Sequence, residues 1–247
     1  MSVADVDPEI IKKVEELFDK LERESPANLE RFLNEYPHIT LDMLLQQLLF
    51  IEWVAEHYSE DPSTQTASAN FTPEGALRSL GVNNMPEGIE RVSEIFENNV
   101  LKKLVTGHAE KNSCIVVGSK DGPGLKDHYN VSKVYHCAPC LNDIHASGMS
   151  YAFSNRKSTS AGVMMRYADS FLASGLMLDK MINPKVAHIF LDIPAGVTLQ
   201  FGVGALYELK QLITGIAFNP PITYTDLIAW GQGTPRLQPN IPILGVK

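Results

Sequence analysis

Cysteine is scarce in this chain, with three among 247 residues. An odd, small number argues against the disulfide framework of a secreted domain and for reduced thiols. Long apolar runs are missing too. The richest window, MLLQQLLFIEWVA, is interrupted by Gln46, Gln47 and Glu52, well short of the roughly 18 residues that a membrane-spanning helix requires. The opening, MSVADVDPEIIKK, has no basic region leading into an apolar stretch, so no signal peptide is expected. Together these absences predict a soluble protein of the cytoplasm or another intracellular compartment, with no membrane partner. Several enzyme motifs are also lacking. There is no GxSxG nucleophile elbow and no GxxxxGK[ST] phosphate loop, and GVG at 202–204 is too short for a dinucleotide fingerprint. The chain is nonetheless long enough to bury a core without metal or disulfide.

Charge is present in plenty but unevenly placed. The net charge is −8. Residues 1–100 carry 7 Lys+Arg against 20 Asp+Glu, residues 101–185 carry 11 against 6, and the remainder is neutral at 3 against 3. An acidic front therefore precedes a mildly basic centre, which suggests that the centre meets an anion.

Pattern and punctuation divide the chain into four parts. Asp7-Pro8 reads as a helix start, and Ile10, Ile11, Val14, Leu17, Phe18 and Leu21 recur at helical spacing. Ser25-Pro26 is expected to break this helix, a shorter one to cover 27–36, and Thr40 to cap a third reaching Tyr58. Residues 1–58 thus form an acidic helical subdomain. SEDPSTQTASANFT at 59–72 is small and polar throughout and reads as a linker or exposed loop. An α+β core over 73–229 follows. In it a short helix after Thr72-Pro73 stops at Gly81 and a longer one opens at Pro86. CIVVG at 114–118, VSKVY at 131–135, KVAHIFLDI at 185–193 and VTLQF are strands, and 164–181 and VGALYELKQLITGIAF are helices. The last part, 230–247, holds three prolines and is expected to be an extended arm without helix. The predicted fold class is α+β: a helical N-terminal subdomain, a mixed core with a small sheet, and that arm.

Two stretches can carry chemistry. In YHCAPCLNDIH at 135–145 the pair Cys137-x-x-Cys140 is half of a zinc knuckle. The candidate ligands are His128, His136, Cys137, Cys140 and His145, with Cys114 further off, because zinc takes about four N or S donors. No second CxxC or HxxxH pair follows at knuckle spacing. The alternative is a thiol–disulfide pair at a strand-to-helix junction, where a helix N-terminus lowers the first thiol's pKa. That arrangement resembles thioredoxin-like proteins, with Pro194 in the place of the proline that faces the thiols. His136 stands where those proteins carry an aromatic residue, and helix pattern replaces their central strand.

The second stretch, SNRKSTSAGVMMR at 154–166, offers Arg156 and Lys157 as cations, Ser158, Thr159 and Ser160 as hydroxyl donors and Gly162 for close backbone approach, just before a predicted helix. A phosphate, nucleotide or nucleic-acid backbone fits such a loop. Ser158 or Ser160 with His188 and Asp192 would make a hydrolase-like set, Asp192 lying at a strand end where ligands gather.

Two functions follow. In the first, the protein is a homo-oligomeric binding or assembly protein, joined through its C-terminal arm, whose basic loop at Arg156 to Gly162 contacts an anionic ligand or nucleic acid. In the second it is an intracellular enzyme using Cys137 and Cys140, with Asp192, as a redox pair or a zinc site. The features of the first are more complete in the sequence.

Overall fold

The computed structural model describes residues 8–62, 64–85, 93–98, 102, 105–115, 117, 124–158, 185–194, 215–231 and 243–244. Their elements, in chain order, are α1 (Pro8–Glu35), α2 (Leu41–Tyr58), β1 (Ala67–Phe71), β2 (Leu77–Val82), α3 (Ser93–Glu97), α4 (Ala109–Ile115), β3 (Tyr129–Ser132), α5 (Ala138–Ala146), β4 (Tyr151–Asn155), β5 (Ala187–Leu191), β6 (Gly215–Ile222), α6 (Tyr224–Gly231) and β7 (Ile243–Leu244). The seven strands form one mixed sheet in the order β5-β4-β3-β1-β2-β6-β7. β3, β4 and β5 run parallel, and the remaining pairs are antiparallel. An α+β fold with a helical N-terminal part is what the sequence predicts.

The two faces of the sheet differ in chemistry. Because side chains alternate along a strand, Ala67, Ala69, Phe71, Leu77, Leu80, Val82, Tyr129, Val131, Tyr151, Phe153, Ile189 and Leu191 share one apolar face, which α2 covers with Leu44, Leu48, Ile51 and Val54. The alternating positions Ser68, Asn70, Ser79, Asn130, Ser132, Ser154 and His188 are also buried, yet polar. α4 lies on that side, and α5 packs against α4. The amides and hydroxyls satisfy one another there. Ser68 donates to Asn130 Oδ1 at 3.0 Å, and the amide of Asn70 donates to Ser79 Oγ at 2.8 Å. That is the condition for burying them at acceptable cost.

α1 joins the faces by passing around the β5 edge. Val14 and Leu21 pack with Phe190 and Ala152, whereas Phe32 inserts between Tyr129, Tyr151 and Phe153, its ring edge-on to each at 4.8–5.1 Å. Midway, Ser25 and Asn28 bond to the backbone of β5, supplying partners that an edge strand otherwise lacks.

Several local expectations are corrected. α1 continues through Pro26 to Glu35. A proline in a helix costs one hydrogen-bond rung and a steric clash, and docking both halves on the sheet offsets that cost. Residues 67–71, within the expected linker, are a fully buried strand between β2 and β3. No helix follows Thr72-Pro73; Thr72 accepts the N–H groups of Glu74 and Ala76, and Gly75 takes φ +81° to turn the chain into β2. Cys114 and Ile115 end a helix where a strand was expected, and 215–218 begin a strand where a helix was expected. The strand at 131–135 runs from Tyr129 to Ser132 instead. Thr40 caps α2 as expected, accepting from Met43 N. In the C-terminal arm, Trp230 and Gly231 still belong to α6, and Ile243–Leu244 pair with β6. The Asp7 cap, the helix at 164–181, VTLQF and most of the tail lie outside the described residues.

Candidate metal centre

Pro139 near the start of α5 and Cys137 as its N-cap fix where the CxxC pair sits. β3 ends at Ser132, and a short bend delivers Cys137 to the helix start, with Cys140 one turn further on. The two sulfurs lie 3.3 Å apart. α4 stands beside this turn, and His108 precedes its first residue. The Nδ1 atom of His108 is 3.4 Å from each sulfur. These three ligand atoms lie within 4.8 Å of one another, the group of three or more that could hold a metal ion among the described residues. Both cysteines are buried and His108 is partly exposed.

Glu110, two residues after His108 on α4, is 4% exposed. One carboxylate oxygen, Oε2, is 3.4 Å from the Cys140 sulfur, and the other, Oε1, accepts from Ser132 Oγ at 3.0 Å. α4 seats this closely because β2 carries Gly81 beneath it. A Cβ there would stand 2.5 Å from Ser113 N and press on the carbonyl of Ala109.

The charges at the centre are coupled. His108 is pushed up to about 9, chiefly by its hydrogen bond with Cys137. Cys137 is lowered to about 6, first by its hydrogen bond with Cys140 and then, against desolvation, by His108. Cys140 is raised, because it keeps the proton that it shares with Cys137. Once deprotonated, the three groups offer a cation one nitrogen and two sulfur donors.

The sequence-derived candidates are distributed as follows. Cys137 and Cys140 are in the centre. His136 is fully buried on the polar face, its Nε2 2.6 Å from Asn130 Oδ1, and burial lowers it to about 4. His128 bonds the carbonyl of Lys126, and burial lowers its pKa. His145 sits in the last turn of α5. Neither His128 nor His145 belongs to the donor group. Arg156 pairs with Glu22 at 2.9 Å and Asp192 at 3.3 Å, tying α1 to the ends of β4 and β5. Lys157 donates to the carbonyl of Ile193, and Ser158 is half-buried. Thr159, Ser160 and Gly162 lie outside the described residues. His188 bonds Ser154 in the core, with Tyr135 and Phe190 around it, while Asp192 is exposed.

His108 and Glu110 are the residues that the sequence reading passed over. Their signal is GHAEK at 107–111, a His-x-Glu at the start of a helix. It was hidden because the next residues read as strand and because 28 residues separate His108 from Cys137.

Comparisons give a partial likeness of backbone course. A dCMP deaminase from the cyanophage S-TIM5, in apo form, shares 12% identity over 62% of this chain and all of the other, with a TM-score of 0.44. The same phage enzyme in complex with dCMP and dUMP shares 11% over 63% of this chain and 99% of the other, also at 0.44. No protein-family model matches the chain, and a search of curated proteins finds no relative. Among the described residues no helix is long and apolar enough to cross a membrane.

Proposed function

We propose that the protein is a zinc-dependent hydrolytic deaminase acting on an amino-bearing nucleobase, in a nucleotide or nucleic acid. The observation that carries this reading is the buried Glu110 carboxylate set against a His108, Cys137, Cys140 donor triangle. Zinc bonds of about 2.3 Å to sulfur and 2.0–2.1 Å to nitrogen put tetrahedral ligand atoms roughly 3.5–3.8 Å apart. The spacings of 3.3, 3.4 and 3.4 Å fit a common ion with little adjustment. Three protein ligands leave one position open, which separates a catalytic zinc site from a closed structural one. His108-Ala109-Glu110 followed by Cys137-x-x-Cys140 also follows the H-x-E, C-x-x-C order in which zinc deaminases of nucleobases place their ligands and their acid/base glutamate. His136 occupies the place where that order carries proline.

When bound, zinc supplies Lewis-acid polarisation and lowers the pKa of water at its open position. The chain's own residues do the rest. His108 and the two cysteines hold the ion against the N-terminal turns of α4 and α5. Glu110 is the proton carrier: its carboxylate takes one proton from water as the water oxygen bonds the amino-bearing carbon and delivers it to the adjacent ring nitrogen, then passes the remaining hydroxyl proton to the amino group, so that the C–N bond breaks, ammonia leaves and a carbonyl stays.

The test is metal analysis beside an ammonia-release assay on cytosine and adenine nucleotides and single-stranded nucleic acids. The expected result is one zinc per chain and deamination of at least one substrate. Glu110→Ala retains zinc and loses activity by about 100- to 10,000-fold. Loss of zinc in Glu110→Ala makes the carboxylate a fourth ligand of a structural site and overturns the reading.

A further inference from the structure

We propose that Ser132 is the positioning residue that aims Glu110, an inference that rests on the role just given to that carboxylate. Ser132 is the last residue of β3 and is fully buried on the polar face of the sheet. Its hydroxyl has one hydrogen and two acceptors in reach, Glu110 Oε1 at 3.0 Å and the carbonyl of Ala67 at 3.3 Å. The Ala67 carbonyl already accepts the N–H of Lys133 at 3.1 Å. The hydrogen is therefore better used on the carboxylate, where a bond to a charged acceptor is shorter and stronger.

The consequence is geometric. A glutamate side chain has three torsions, and its last is broad, so a carboxylate without fixed partners samples several orientations. Ser132 ties down Oε1, and Oε2 accepts from the Cys140 thiol at 3.4 Å, on the side of the donor triangle. From the other side Ser113, one turn along α4, donates to the main-chain carbonyl of Glu110 at 2.8 Å and steadies the helix rather than the carboxylate. The arrangement also links the two halves of the centre. β3 ends in Ser132 and leads within five residues to Cys137, so one strand sets both a metal donor and the aim of the proton carrier borne by α4. The Ser132 hydroxyl bonds the carbonyl of Ala67 and Glu110, and none of the three donor atoms. It acts through Glu110.

The experiment compares Ser132→Ala and Ser132→Thr in the full chain, by crystal structure, zinc content and steady-state kinetics. In Ser132→Ala the Glu110 carboxylate turns away from Cys140 while zinc content stays that of the parent. kcat falls about 10- to 100-fold, the usual loss when a residue supporting a site is removed, and KM changes by less than about twofold. Ser132→Thr, which keeps the hydroxyl, restores both position and kcat. A carboxylate that stays in place in Ser132→Ala, or a kcat equal to the parent's, overturns the proposal. If the alanine variant does not fold, Ser132→Cys, a near-isostere with a weak donor, is read by the same criteria. The crystallographic readout needs no substrate. A chain that deaminates nothing thus removes the proposed function, while the bracing of Glu110 is still decided by where its carboxylate lies.

Discussion

Ser25 on α1 bonds both main-chain groups of Phe190 on β5, accepting its N–H at 2.8 Å and facing its carbonyl at 3.4 Å. A helix side chain stands where a neighbouring strand would be. Ser25→Ala leaves a buried N–H without a partner, which costs about 1–3 kcal/mol. Urea unfolding is expected to show a lower midpoint with an unchanged slope.

Gly81 is needed for space, since it sits in a regular strand with the α4 backbone directly above. Gly81→Ala is expected to lift α4, lowering stability by about 1–3 kcal/mol. His108 and Glu110 ride on or beside that helix, so zinc affinity should fall about 10- to 100-fold. Competition with a chromophoric chelator measures this. Unchanged affinity would mean that α4 does not set the position of His108.

Acid lability should come from His136, which burial lowers to about 4, and from its neighbour His188. His188 is buried beside Tyr135, His136, Phe190 and Ser154, its Nδ1 has no hydrogen-bond partner among the described residues, and desolvation lowers its pKa well below 6.5. The unfolded chain takes up these protons more readily than the folded one. Their contribution to stability is therefore complete above about pH 6.5 and declines as the pH falls below that value. Melting temperatures from pH 8 to pH 5 should drop along the acid limb, and His188→Gln should flatten that limb. An equal slope in the variant would assign the effect to other groups.

Chelation should destabilise the chain. His108 lies 29 positions before Cys137, so the full donor set is assembled only in the folded state, which the ion therefore favours. At a thousandfold excess over Kd such binding adds about 4 kcal/mol, or roughly 10 °C in Tm at this size. A melt with and without chelator, then with zinc restored, checks the value. An unchanged Tm would indicate that no ion is held there.

Much of the fold is legible in the sequence where one physical signal dominates. α2 is apolar enough to be found from composition, and Thr40 marks its start. β5 announces itself as HIFL. β1 does not: Ala67-Ser68-Ala69-Asn70-Phe71 is small and half polar because one face meets α2 and the other meets amides, so its alternation resembles the composition of a loop. At the site, the CxxC pair is visible because its donors are neighbours in sequence. His108 and Glu110 join it only through the packing of α4 on Gly81, a tertiary relationship that no local pattern encodes. Arg156 and Lys157 read as free cations, yet their partners Glu22, Asp192 and Ile193 arrive from other elements.

The two-faced sheet has a consequence for how the chain finds its structure. Sliding β1 or β3 by one residue would turn Asn70 and Asn130 toward α2 and bring Phe71 and Tyr129 against the amides. Burial of Phe71 and Tyr129 opposes such a slip, and the paired amides oppose it again from the other face, since Asn70 and Asn130 bond each other across β1 and β3. The sheet is thus aligned by two chemistries at once. Ser132 belongs to the polar layer, so the alignment of β3 also sets where its hydroxyl stands.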